Sequence, residues 1–125
     1  MRVRVEHSGV TGLAADLSRA PQIVKRGAAR VIAQAARKGA RLAKASAKKT
    51  AGAHGVHYPD AIDAEPIGPT EWEWGPDASK PQGDMSFEWG SRNQPPHLDL
   101  NRAADVIVPK WVSDLRDVYD EAFWP

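Results

Sequence analysis

Cysteine is absent from the 125 residues of this chain, which excludes disulfide staples and thiolate metal sites and suits assembly in a reducing cytoplasm. Rings are scarce outside tryptophan, with two Phe and two Tyr beside five Trp. A chain of this length buries roughly two thirds of the surface its unfolded form exposes, but alanine fills much of the apolar fraction. The core is therefore thin or completed by neighbours. No run of 18 apolar residues occurs, so no membrane-spanning segment is expected. The N-terminal MRVRVEHSG is basic but lacks the apolar stretch of a secretion signal. Acid is nearly missing from the first half: residues 1–59 carry 12 Lys or Arg against Glu6 and Asp16, a balance of +10. Residues 60–125 reverse this, with 5 Lys or Arg against 14 Asp or Glu, a balance of −9. The net charge of +1 thus conceals two complementary halves, which can fold together, pair head to tail with another copy, or present a basic face to nucleic acid.

Hydropathy patterning predicts one α+β domain over residues 1–125, with a long N-terminal helix packed on a small antiparallel sheet and followed by a C-terminal helix. Val3 and Val5 alternate with charged neighbours, so residues 1–7 read as an extended arm. Residues 11–49 are helical and basic. Leu13 and Leu17 mark a short first helix, Pro21 restarts the chain, and Val24, Ala28, Val31, Ala35 and Leu42 then line one face, with Ile23 and Ile32 beside it. A helix of about 30 residues reaches roughly 45 Å at 1.5 Å per residue, longer than so small a domain covers, so part of it is expected to pack on another subunit. Residues 50–63 hold two Gly and a Pro and read as a mobile loop between the halves. Residues 61–90 are expected to form a small acidic antiparallel meander of Ala61 to Ile67, Glu71 to Trp74 and Met85 to Trp89, with Gly75 to Asp84 as a loop. Over residues 98–123, Leu100, Ala103, Ala104, Ile107, Trp111, Leu115, Val118 and Ala122 recur at helical spacing, with Pro109 as a kink or restart.

Chemistry-bearing constellations are weak. His54 and His57 stand near Asp60 and Asp63, but a Gly-rich loop does not fix two imidazoles on one point, so no metal site is expected. Glu71 and Glu73 share one face of a strand while Trp72 and Trp74 share the other, which is amphipathic alternation and not an acid–base pair. Ser86 and Ser91 lack a nucleophile-elbow context. No catalytic residue, cofactor or small-molecule substrate is expected. The basic helix, with Lys25, Arg26, Arg30, Arg37, Lys38, Arg41 and Lys44, offers contacts to DNA or to an acidic partner, although its charges read as spread around much of the circumference and no aromatics for base stacking lie on it. Trp72, Trp74 and Trp89 are candidate interface anchors.

The long Ala- and Lys/Arg-rich helix ending in LAKASAKKTAG (Leu42 to Gly52), the aromatic-Glu-aromatic-Gly-Ser motif Phe87, Glu88, Trp89, Gly90 and Ser91, and the Pro-rich turn into a helix at Pro95, Pro96, His97, Leu98, Asp99 and Leu100 resemble the neck and tail-completion proteins of long-tailed double-stranded DNA bacteriophages, often called minor tail components. The resemblance spans about residues 15–110. It implies a structural virion protein of the head–tail junction, of neck, tail-completion or tail-terminator type, made in the host cytoplasm. It further implies no catalysed reaction, a homomeric ring with six-fold symmetry favoured over twelve-fold, neighbouring head-completion and tail-tube proteins as partners, and DNA in the channel. Phe87 to Ser91, Pro95, Pro96 and Leu98 are then motif or interface residues. The alternative reading is a small basic-helix protein that binds DNA without sequence specificity.

Overall fold

The computed structural model describes residues 7–92 and 94–124, with side chains described from Ser18 onward. Helix α1 runs from His7–Thr50. A 3-10 turn at Ala53–Gly55 and a one-turn helix α2, Tyr58–Ala61, lead into strands β1, Ile62–Gly68, and β2, Glu71–Pro76. A second one-turn helix α3, Ser86–Trp89, precedes helix α4, Asp99–Phe123. This is the expected α+β arrangement of a long N-terminal helix, a small antiparallel sheet and a C-terminal helix.

Several expectations are corrected. Of the arm over residues 1–7, residues 1–6 lie outside the described residues, and His7 already belongs to α1. No restart occurs at Pro21, which sits inside an unbroken α1, and Pro109 likewise sits inside an unbroken α4. Proline removes one backbone hydrogen bond, and in both helices long helix-forming stretches on either side propagate across that gap. The sheet has two strands, Ile62 pairing with Pro76 and Ala64 with Trp74, and does not extend to residue 90. The loop expected over 50–63 is instead folded into the 3-10 turn and α2, and brings Tyr58, Pro59 and Gly55 into the interior.

Helices α1 and α4 pack antiparallel. Ser46 and Thr50 near the end of α1 bond Asp99 at the start of α4, and nineteen residues away along each helix, Gly27 lies against Val118. The buried face of α1 changes side along its length. Ala20, Gly27 and Val31 are buried in the first part, and Ala36, Gly39, Ala40, Ala43 and Ala47 in the second. At 3.6 residues per turn, Val31 and Ala36 point roughly 140° apart. Of the face expected from Val24, Ala28, Val31, Ala35 and Leu42, only Val31 is buried, and the other four are half-buried. The change follows the neighbours: the second part of α1 is surrounded by β1, β2 and α2 as well as α4. There Ala40, Ala43, Ala47, Tyr58, Ile62, Phe87 and Ala103 form the core, and small residues on α1 allow close approach.

Candidate assembly surfaces

The segment from Phe87 to Leu100 forms a clasp around the start of α4. Met85 to Trp89 does not return as a strand; Ser86 to Trp89 make one helical turn. A strand sends consecutive side chains to opposite faces, whereas Phe87 and Glu88 are both buried, and a helical turn accommodates both. Asp84 accepts hydrogen bonds from the backbone N–H and the hydroxyl of Ser86 at the entry to this turn, and they hold its carboxyl below the usual range. Phe87 stacks on Tyr58 with ring centroids 4.5 Å apart and meets the edge of His97 at 5.7 Å. Gly90 has φ 85°, a region open to glycine, and a Cβ there would press on the Pro96 nitrogen at 2.8 Å. Ser91 and Gln94 pair across a tight reversal, with Ser91 N–H donating to Gln94 O at 2.9 Å. The exposed Pro95 and Pro96 then carry the chain back, where His97 N–H donates to Phe87 O at 2.8 Å and Leu98 N–H to Glu88 O at 3.2 Å.

Two fully buried carboxylates complete the clasp. Glu88 accepts from the backbone N–H of Leu100 at 2.7 Å, that of Asn101 at 3.0 Å and the Asn101 side-chain amide at 2.6 Å. It thereby caps α4 from outside the helix: the first N–H groups of a helix have no intrahelical partner and carry partial positive charge, and Leu98 at the cap position has no side-chain acceptor. Asp99 accepts from Ser46 Oγ at 2.6 Å, Thr50 Oγ1 at 2.9 Å and Arg102 at 3.1 Å, tying α4 to the end of α1. Tyr58 is buried beside these acids with its hydroxyl unpartnered. Burial, and then Asp99, Glu88 and Asp84, push its ionisation above the ordinary range.

The hairpin keeps the expected alternation. Trp72 and Trp74 face α1, Trp72 beneath the Arg37 guanidinium at 4.8 Å and Trp74 against Gly39. Glu71 and Glu73 are exposed on the other face, where Glu65 lies directly across from Glu73. The Glu73 carboxyl, as a hydrogen-bonding neighbour and a like charge, holds Glu65 above the usual carboxylate range. Asp63 on the same face is paired with Lys80 at 2.7 Å.

Trp89 is 61% exposed. It borders a shallow groove of about 200 Å³ shared with Trp74, Met85, Leu100 and Ala104. Beyond the groove, Val108, Val112 and Tyr119 are exposed on α4 and Leu115 and Phe123 half-buried. At 3.6 residues per turn, Ala104 and these five residues fall within an arc of roughly 100°, which adjoins the buried arc of Ala103, Ile107, Val118 and Ala122. Trp111 is half-buried between the two faces, and Trp124 is exposed.

The cations of α1 are more ordered than they read in sequence. Arg19, Arg26, Arg30, Arg37, Arg41, Lys44 and Lys48 recur at intervals of three, four and seven, which places them within roughly 60° of one another on one helix side; Lys25, Lys38 and Lys49 lie off this row. All seven are exposed except Lys44, which is half-buried. From Arg26 onward no row member pairs with a carboxylate among the described residues.

Sequence reasoning missed Tyr58, Ser46 and Thr50, and took Glu88 for a strand residue. No local signal marks contacts such as Ser46 to Asp99 across 53 positions. Among the described residues no group of three His, Cys, Asp or Glu is placed to hold a metal ion, and no helix is long and apolar enough to cross a membrane. No protein-family model matches the chain, and no match was found among curated proteins or solved structures.

Proposed function

We propose that this chain is a structural subunit of the head–tail junction of a long-tailed double-stranded DNA bacteriophage, of neck, tail-completion or tail-terminator type. It assembles with its own copies into a ring around the DNA channel, most simply six-fold. The observation that carries the reading is the apolar strip on α4 and the clasp, from Met85 and Trp89 through Ala104, Val108, Val112 and Tyr119. Continuous exposed apolar strips are sites of association, and this one is aimed by the very segment whose sequence resembles the phage family. A ring needs one patch of a subunit to meet a different patch of the next, and the strip on α4 is one such patch. Copies of the same chain are the occupant favoured by the opposite charge of its two halves.

Size-exclusion chromatography with light scattering, combined with electron microscopy, tests this reading. The expected result is one discrete high-mass species with annular particles, reduced to monomer by Val112→Asp together with Tyr119→Asp. A wild-type chain that stays monomeric up to millimolar concentration, alone and with head-completion and tail-tube proteins present, overturns it.

A further inference from the structure

We infer that the cation row on α1 is a docking rail for the phosphate backbone of duplex DNA, bound without regard to sequence. From Arg26 to Lys48 the row covers 22 helical steps, about 33 Å at 1.5 Å per residue. Its members stand three or four residues apart at Arg26 and Arg30 and again at Arg37, Arg41, Lys44 and Lys48. Like charges at this spacing repel and weaken a helix, and among the described residues no carboxylate of the chain relieves them from Arg26 onward. An external polyanion does.

Two polyanions compete for the row, and length decides between them. The acids on the outer face of the hairpin, the exposed Glu65, Glu71 and Glu73 and the half-buried Asp63, lie on strands of 7 and 6 residues, about 20 Å at 3.3 Å per residue, shorter than the row. Asp63 is already held by Lys80. The hairpin of a second copy therefore neutralises only part of the row, whereas duplex DNA carries a phosphate charge every 1.7 Å or so without interruption. Recognition by base stacking does not fit: the one described aromatic ring against the row, Trp72, is covered by Arg37. What the row offers is charge at regular spacing, which positions a backbone and reads no bases. The inference concerns the single subunit and holds whether or not it forms a ring.

The test compares two triple variants that remove equal charge. Arg30→Gln with Arg37→Gln and Arg41→Gln empties the middle of the row; Lys25→Gln with Lys38→Gln and Lys49→Gln removes the three α1 cations outside it. Binding to a 30-base-pair duplex of mixed sequence is measured by fluorescence anisotropy across about 50 to 200 mM salt, with circular dichroism to confirm helix content. For about six phosphate contacts the wild type loses roughly 10³-fold in affinity over that range. The row variant is expected to lose most binding and about half of the salt slope, while the off-row variant keeps the wild-type slope. Three results overturn the inference: no duplex binding at about 50 mM salt; equal losses in both variants, which is a net-charge effect; or self-association abolished by the row variant with duplex affinity unchanged, which assigns the row to a second copy. Particle formation, scored separately on the same variants, distinguishes failure of the rail from failure of the ring.

Discussion

The two ends of the α1–α4 pair are joined by different physics. At the Thr50 end, two fully buried carboxylates, Glu88 and Asp99, are satisfied by backbone, hydroxyl, amide and guanidinium donors, and the Tyr58–Phe87 stack lies beside them. At the Gly27 end the helices meet through a missing side chain, Gly27 against Val118. Hydrogen bonds have direction and set the register and entry angle of α4. Close packing has none and sets only how near the helices come. The locked end is also where the segment resembling the phage family resides: Phe87, Glu88 and Gly90 aim a helix, while Trp89 between them is exposed beside the strip on α4.

Four measurements break or sharpen this contrast. Phe87→Ala removes the ring stacked on Tyr58 at the centre of the locked end, and is expected to cost about 4 kcal/mol in urea unfolding, as large-to-small changes of buried aromatics do. Glu88→Ala takes the acceptor from the part-buried N–H groups of Leu100 and Asn101, with an expected loss of about 3 kcal/mol from two donors left without it; Glu88→Gln keeps an acceptor and loses less. Gly27→Val forces a side chain into Val118 and is expected to cost about 2 kcal/mol by overpacking, most of it recovered in the double variant with Val118→Ala. A cost at Gly27 greater than that of Glu88→Ala reverses the order of the two ends.

The smallest effect lies on the outer face of the hairpin. Because Glu73 beside it raises Glu65 above the ordinary carboxylate range, the folded chain binds a proton at Glu65 more tightly than the unfolded chain. This contribution to stability is fully present below the ordinary carboxylate range and is lost as pH rises through the raised value of Glu65. Glu73→Gln removes the like-charged partner, so thermal melts from about pH 4 to pH 7, a span that begins at the ordinary carboxylate range, are expected to show a slightly higher Tm at neutral pH and a flatter pH dependence than the wild type. An unchanged pH profile shows that the pair is already neutralised by another group.

Legibility in the sequence followed the range of the interactions. The basic helix, the Glu-out and Trp-in alternation of β2, and the C-terminal helix with its buried Ala103, Ile107 and Val118 were readable because helical and strand periods repeat within a few residues. The cation row was present in the same text as intervals of three, four and seven, and became evident once α1 proved to be continuous through Pro21. The short elements were not readable. Met85 to Trp89 has strand composition, but both Phe87 and Glu88 are needed inside, and that need comes from Tyr58, 29 positions earlier, and from Leu100 and Asn101, 12 and 13 positions later. Tyr58 itself stood in a Gly-rich stretch that composition assigns to a loop.

What the amino-acid sequence determined by itself was therefore the periodic part of the molecule: two amphipathic helices, one hairpin, and a division into basic and acidic halves. These depend on spacing and composition, which act locally and summed along the chain. Tertiary structure alone decided which side of α1 is buried, that Glu88 caps a helix it does not belong to, and that Asp99 ties the ends of α1 and α4 together. A buried carboxylate is tolerated only where donors converge on it, and the donors here are brought from separate elements by the fold.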